Sequence, residues 1–261
     1  MKHRFAAVAV ALLVAACSGG TAGVAAVDLN ILAAASLKGA LDAAKTTYEA
    51  SHAGVTLAIS TDSSVALETK IEQGAPADVF LSADSANPQK LVDGGFATGD
   101  AVVFAGNELT VIVPKVNPAD IASPADLAKA GVRIIGAGEA VPITRYAKLL
   151  VQNLAREAGY PAGFEAAYLA NVVSMEENVK AVVAKIALGQ GDAAIVYRTD
   201  AKGSTDVLPI DVPPTANVAA SYAGVIVKAS ANPAAAQGFL DWLAGSEGQA
   251  VLATFGFLPP A

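Results

Sequence analysis

The chain reads as an α/β protein built on a mostly parallel sheet, and three observations lead there. Short apolar runs alternate with helix-period segments almost from end to end, the pattern of strands feeding crossover helices. Start and stop signals bracket several of those segments: Pro124 and Pro142 lie near helix N-termini, and Gly74, Gly189 and Gly245 follow helix ends. Two hydroxyl-rich turns, Ala33-Ala34-Ala35-Ser36-Leu37 and Thr61-Asp62-Ser63-Ser64, stand where an apolar run passes into a helical one.

Taken in order, alternation and β-branched content predict strands at 28–33, 55–60, 78–81, 109–113, 132–136, 172–174, 193–197, 207–209 and 222–227. Apolar residues at a period of 3.6 predict helices at 38–51, 65–73, 87–94, 124–129, 144–157, 178–188, 233–243 and 246–255. No internal repeat and no low-complexity linker interrupts them. Two structural halves must then be joined by strand-like crossings, and 107–113 going out with 222–227 coming back fit best. This divides the chain into one lobe of 28–106 plus 221–261 and another of 107–220.

Residues 1–17 read as a targeting segment. Lys2, His3 and Arg4 form a positive start, and Phe5 to Ala16 is an apolar run too short for the roughly 20 residues that span a bilayer. It ends Val14-Ala15-Ala16-Cys17, which is similar to a bacterial lipobox, so Cys17 is expected to carry lipid and become the new N-terminus. Residues 18–27 are small and polar enough for a flexible tether. The protein is therefore expected outside the cytoplasm, anchored to a membrane. Cys17 is the only cysteine, which excludes an intramolecular disulfide and a cysteine-rich zinc site.

Charge and residue inventory exclude further classes. The whole sequence carries −7, and loss of Lys2 and Arg4 makes the remainder more acidic, the wrong sign for nucleic acid. His3 leaves with the leader, and His52 follows a helix beside Gly54, where a solvated turn residue is expected. No Ser–His–Asp set, P-loop, G-x-S-x-G elbow or H-E-x-x-H spacing occurs. Glu68 and Glu72, one turn apart beside Lys70, read as a solvated helix face. Glu176-Glu177 read as acids favoured near a helix start. No enzymatic centre, cofactor or direct metal ligand is expected.

The two turns can act otherwise. A helix N-terminus offers unpaired N–H groups and the positive end of a dipole, so a hydroxyl there can help hold an anion. Equally, Ser and Asp are good N-caps anywhere.

Longer strings narrow the choice. Ala33-Ala34-Ala35-Ser36-Leu37, then Gly74-Ala75-Pro76-Ala77-Asp78 with Ser82-Ala83-Asp84, Val141-Pro142 before Tyr146-Ala147, and the run Gly191 to Ala201 occur in order, with Phe255-Gly256-Phe257-Leu258-Pro259 at the end. Together they resemble the substrate-binding proteins of molybdate ABC importers, which also bind tungstate. The resemblance covers about Asp28 to the C-terminus. It implies a two-lobed periplasmic-binding-protein-like fold of type II, closing over one tetrahedral dianion, a monomer that serves a membrane permease and its ATPase. It also implies the ligand set: Ser36 and Ser64 through hydroxyl groups, Ile143 and Val179 through backbone N–H, and Tyr197 through its phenol. Ser63 is the neighbour that substitutes if the register is one residue off. Molybdenum enters only as molybdate.

Molybdate, tungstate and sulfate need donors alone, whereas hydrogen phosphate also needs an acceptor for its proton. Asp62, directly before the serine pair, repels an anion unless it is turned away or paired, and as an acceptor it keeps phosphate, sulfate or a small carboxylate open. Arg145 either neutralises Asp62 across the cleft or lies exposed on its helix.

Overall fold

A computed structural model describes residues 26–260. Cys17 and the leader lie outside the described residues, as does most of the proposed tether. The first sheet joins five strands in the order β2-β1-β3-β10-β4: β1 (Val27–Ala34), β2 (Val55–Asp62), β3 (Val79–Ser82), β4 (Ala97–Asn107) and β10 (Ala220–Val227). The remaining strands are β5 (Leu109–Pro114), β6 (Ile134–Ala137), β7 (Val172–Glu176), β8 (Ala194–Tyr197) and β9 (Val207–Ile210). They pair as β8-β5-β9 and β6-β7, and a parallel bridge from Ile134 to Ala193 joins the two pieces beside β8.

The second array thus has the order β7-β6-β8-β5-β9, and it repeats the first in direction as well as order. In each, three neighbouring strands pair in parallel and the next two pairings are antiparallel, so one strand, β10 or β5, runs against the other four. The expected mostly parallel sheet is therefore corrected to a mixed one. The physical reason is the crossing: the chain enters the second array along β5 and re-enters the first along β10, and each entering strand lies antiparallel inside its sheet. Side-chain alternation carries no record of strand direction. The outward crossing is the single residue Glu108 between β4 and β5, whereas 211–219 make the return before β10, not 222–227 as expected.

Helices cover both faces. In the first lobe α1 (Lys38–Ser51), α8 (Pro233–Ala244) and α9 (Ser246–Phe255) pack together, α1 and α8 also against the sheet; α2 (Ser64–Glu72) and α3 (Ala86–Asp93) lie with a smaller apolar cluster around Phe80, Leu91 and Val225. In the second, α4 (Pro142–Leu154), α5 (Phe164–Ala170), α6 (Val179–Ala187) and the short α7 (Arg198–Lys202) surround the strands. The segment expected as a helix at 124–129 is a 3-10 turn, Pro124–Ala128, closed by a capping box between Ser123 and Asp126. Packing around α8 and α9 is tight: a Cβ on Gly248 would stand 2.4 Å from Leu243 Cα, closer than any side chain tolerates.

Two expectations about acids change. Glu68 is buried, not solvated, with Lys90 Nζ 3.8 Å from its carboxylate, and burial pushes its carboxyl above the ordinary glutamate range. Glu176 is tied to Lys185 Nζ at 2.6 Å and Ser174. Burial raises its carboxyl, but those partners outweigh it and hold the group below its usual value.

Candidate functional site

Strand register brings the two hydroxyl-rich turns together. β1 and β2 pair in parallel up to Ala34 opposite Asp62, so both chains leave the sheet side by side, one into Ser36 and the other into Ser64. Facing them across the cleft, β6 leads through 138–141 into α4, β7 into α6, and β8 ends at Tyr197. All these turns lie at the carboxyl ends of parallel strands, where open α/β sheets place their ligands.

One small cavity collects them. Ser36, Ser63, Ser64, Ile143, Val179 and Tyr197 line it together with Ala34, Ala35, Ala83, Val141, Pro142 and Asn178. The space between them is small, about 10 Å³ to the centre of a water-sized sphere. No lining residue is charged. Asp62 and Arg145 stand outside it. Asn178 was missed as a lining residue, although an Asn before an apolar-periodic run is a helix-start signal; its Oδ1 accepts from Ala181 N–H at 3.1 Å.

The electrostatics come from backbone. The 3-10 turn Ala35–Leu37 that begins α1, and the N-termini of α2, α4 and α6, all meet at the cavity. Each offers unpaired N–H groups and about half a positive charge. Acidic residues are favoured in first turns, and α5, α7 and α9 carry Glu165, Asp200 and Glu247 there. The elements aimed at the cavity carry none, and neither do α3 and α8, which do not line it. The carboxylate nearest them, Asp62, precedes the α2 N-cap and accepts from the Ser63 N–H.

Hydrogen bonds from outside orient both serines. Ala83 N–H donates to Ser64 Oγ at 3.0 Å, and Tyr222 O–H donates to Ser36 Oγ at 3.0 Å. With one lone pair taken by a donor, each hydroxyl hydrogen is free to turn into the cavity. Ser63 has no such fixed donor at its hydroxyl among the described residues; instead its N–H donates to Asp62 Oδ1 at 2.8 Å. Tyr197 is buried with its O–H 3.5 Å from the Ala83 carbonyl, and burial first, then Tyr222 nearby, raises its phenol well above the usual value. It remains a donor.

Asp62 is paired: Lys70 Nζ lies 3.0 Å from Oδ2. Burial pushes its carboxyl up, yet Lys70, the Ser63 N–H and the Asn178 amide outweigh that and hold it below the ordinary aspartate range. Arg145 does not neutralise it; its Nη2 lies 3.7 Å from Asp84 Oδ2.

A cleft of neutral donors between two similarly wound lobes defines a solute-binding protein. The chain belongs to the family described as bacterial extracellular solute-binding protein, whose profile matches residues 29–258. It is 31% identical over 234 residues, 89% of this chain and 85% of the relative, to the molybdate-binding protein ModA of Mycobacterium bovis. Over 257 residues, 97% of this chain and 95% of the relative, it is 32% identical to YvgL of Bacillus subtilis, whose name describes it provisionally as an ABC transporter substrate-binding lipoprotein. The periplasmic molybdate-binding protein of Azotobacter vinelandii has the same two-lobed periplasmic-binding-protein fold, with a TM-score of 0.75 at 23% identity over 89% of this chain and all of that one.

Proposed function

We propose that this chain captures molybdate, with tungstate as an alternative ligand, outside the cytoplasm and delivers it as a monomer to an ABC permease and its ATPase. The observation that carries the reading is a cavity without a charged lining residue, where four helix starts meet two serines whose oxygens already accept from outside. Relatives named for molybdate binding support the choice of ligand. Ser36, Ser64 and Tyr197 donate through hydroxyls, and Ile143 and Val179 through backbone N–H.

Each donor to a charged oxygen contributes roughly 1.5–3 kcal/mol, so five or more support affinity near the nanomolar level, about −12 kcal/mol, after ordering costs. Phosphate loses ground because Asp62, the acceptor it would need, is engaged by Lys70. Sulfate satisfies the same donors, and cavity size must separate it from molybdate. The lobes 28–106 plus 221–261 and 107–220 close on the ligand around the Glu108 and 211–219 crossings.

Titration calorimetry on the mature protein tests the reading. One site for molybdate and tungstate is expected, with sulfate and phosphate weaker by more than a hundredfold, about 3 kcal/mol. Tighter sulfate or phosphate binding rejects molybdate as the cargo. Lipid on Cys17 holds the protein at the membrane, and Cys17→Ala should release it to the soluble fraction; retention of the variant at the membrane speaks against the lipid anchor.

A further inference from the structure

Behind Ser36 lies a chain of buried polar groups whose hydrogens have only one consistent arrangement. The Glu108 backbone N–H, which can only donate, points at Asn107 Oδ1 at 2.9 Å. The Asn107 amide nitrogen therefore faces the other way, donating to Thr199 Oγ1 at 2.9 Å and to Tyr222 Oη at 3.4 Å. Tyr222 Oη thus accepts, and its single hydrogen goes to Ser36 Oγ, 3.0 Å away. Were Ser36 to donate to Tyr222 instead, Oη would receive two hydrogens and its own would have no partner among the described residues. Ser36, Asn107, Thr199 and Tyr222 are all buried, so an unsatisfied hydrogen there is costly.

We infer that Tyr222 is a specificity-determining positioning residue: the Glu108–Asn107–Tyr222 relay locks Ser36 as a donor toward the cavity and so rejects an oxyanion that presents a proton to it. The proposal rests on the oxyanion reading of the cavity. It adds that part of the selectivity is made outside the ligand shell, in residues that never touch the anion. The relay is also anchored at the hinge. Asn107 ends β4 at the outward crossing, Thr199 belongs to α7 of the second lobe, and Tyr222 to β10 of the first.

Ser36 Oγ keeps a second lone pair, but Tyr222 is already donating, so accepting the anion's proton would turn the Ser36 hydrogen away from the only acceptor left to it and leave it buried and unpaired. Sulfate and hydrogen phosphate make the test clean, because at mildly alkaline pH both are tetrahedral dianions and they differ by one proton. Molybdate is the third probe. Affinities of all three are measured by titration for the wild-type mature protein, Tyr222→Phe, Asn107→Asp alone and combined with Tyr222→Phe, and Thr199→Val.

Tyr222→Phe removes the donor behind Ser36 but offers its hydrogen no acceptor, so all three anions should weaken severalfold with their ratios kept. In Asn107→Asp the new carboxylate accepts from Tyr222, the chain reverses, and Ser36 turns acceptor; the added charge acts alike on sulfate and hydrogen phosphate, so their ratio should narrow, and adding Tyr222→Phe, which gives the Ser36 hydrogen no acceptor, should restore it. Thr199→Val keeps the Tyr222–Ser36 bond and should keep the ratio. A sulfate-to-phosphate ratio unchanged in Asn107→Asp, or narrowed equally when Tyr222→Phe is added to it, takes Tyr222 out of the selectivity and overturns the proposal. A wild type that binds sulfate but not molybdate overturns the cargo assignment alone, since the sulfate-to-phosphate ratio still reads the relay. Failure to bind any of the three overturns both.

Discussion

Arg145 Nη2 and Asp84 Oδ2 stand 3.7 Å apart, and this contact joins the two lobes directly beside the cavity. Asp84 follows the lining residue Ala83 and is buried, its carboxylate held by Ser82 Oγ at 2.9 Å and by the Asn87 side chain. Arg145 lies in the first turn of α4, two residues after Ile143, with its guanidinium 5.1 Å from the Tyr146 ring centre. One partner is rigid and the other half-exposed.

Such a pair contributes modestly, about 0.2–1 kcal/mol when one side reaches solvent. Because its two partners sit on opposite lobes, opening of the cleft would separate them. Arg145→Gln should therefore raise the ligand dissociation rate up to about fivefold and leave the association rate nearly unchanged. The difference should shrink in high salt. Stopped-flow measurement at two ionic strengths checks this, and equal off-rates would show that the pair does not act as a latch.

The serines are separable. Ser64 Oγ is fixed by Ala83 N–H and Ser36 Oγ by Tyr222, whereas Ser63 has no fixed donor at its hydroxyl. Ser36→Ala and Ser64→Ala should each cost about 1.5–3 kcal/mol of molybdate affinity, and Ser63→Ala less than either. Calorimetric titration of the three variants settles the register of the second turn.

Asp62 is held by Lys70 outside the cavity wall, so Asp62→Asn should change molybdate affinity little. Its effect belongs to stability. Because its folded pKa lies below the ordinary value, Asp62 contributes stability that is present above the unfolded pKa and is lost as pH falls through the folded pKa. Thermal unfolding of the ligand-free protein should show wild type above Asp62→Asn near neutrality, with the two curves converging in acid. A constant offset across pH would contradict this linkage.

Much of this architecture was legible in the sequence because its elements are strongly periodic. Helices over 38–51 and 246–255 match their expected bounds, and the residues drawn from the family resemblance meet at one cavity. What failed had weak local signals. β4 was missed because Thr98-Gly99-Asp100 breaks its alternation, and Gly99 takes a positive φ of 74° that few residues but glycine accept. α5 and α7 span 7 and 5 residues, too few turns for a 3.6 period to register. Tyr222 offered only a strand aromatic; its role depends on Asn107 and Ser36, 115 and 186 positions away. A hydrogen-bond direction of that range leaves no pattern along the chain.

The backbone donors can be tested without touching a side-chain donor, and Val179 is the best placed. It is the first residue of α6, where an N–H has no partner within the helix and proline is well tolerated. The preceding Asn178 has φ −156° and ψ 168°, the extended conformation that a residue before proline prefers. Val179→Pro should therefore keep the fold while deleting one N–H that faces the cavity. Molybdate affinity should fall by about 1.5–3 kcal/mol, roughly 10- to 150-fold. Val179→Ala trims the same side chain and retains the N–H, so it should bind nearly as the wild type does. Both variants need comparable melting temperatures without ligand for the comparison to count. If Val179→Pro binds as tightly as Val179→Ala, the α6 N-terminus is not a ligand donor, and the anion is held by the other helix ends.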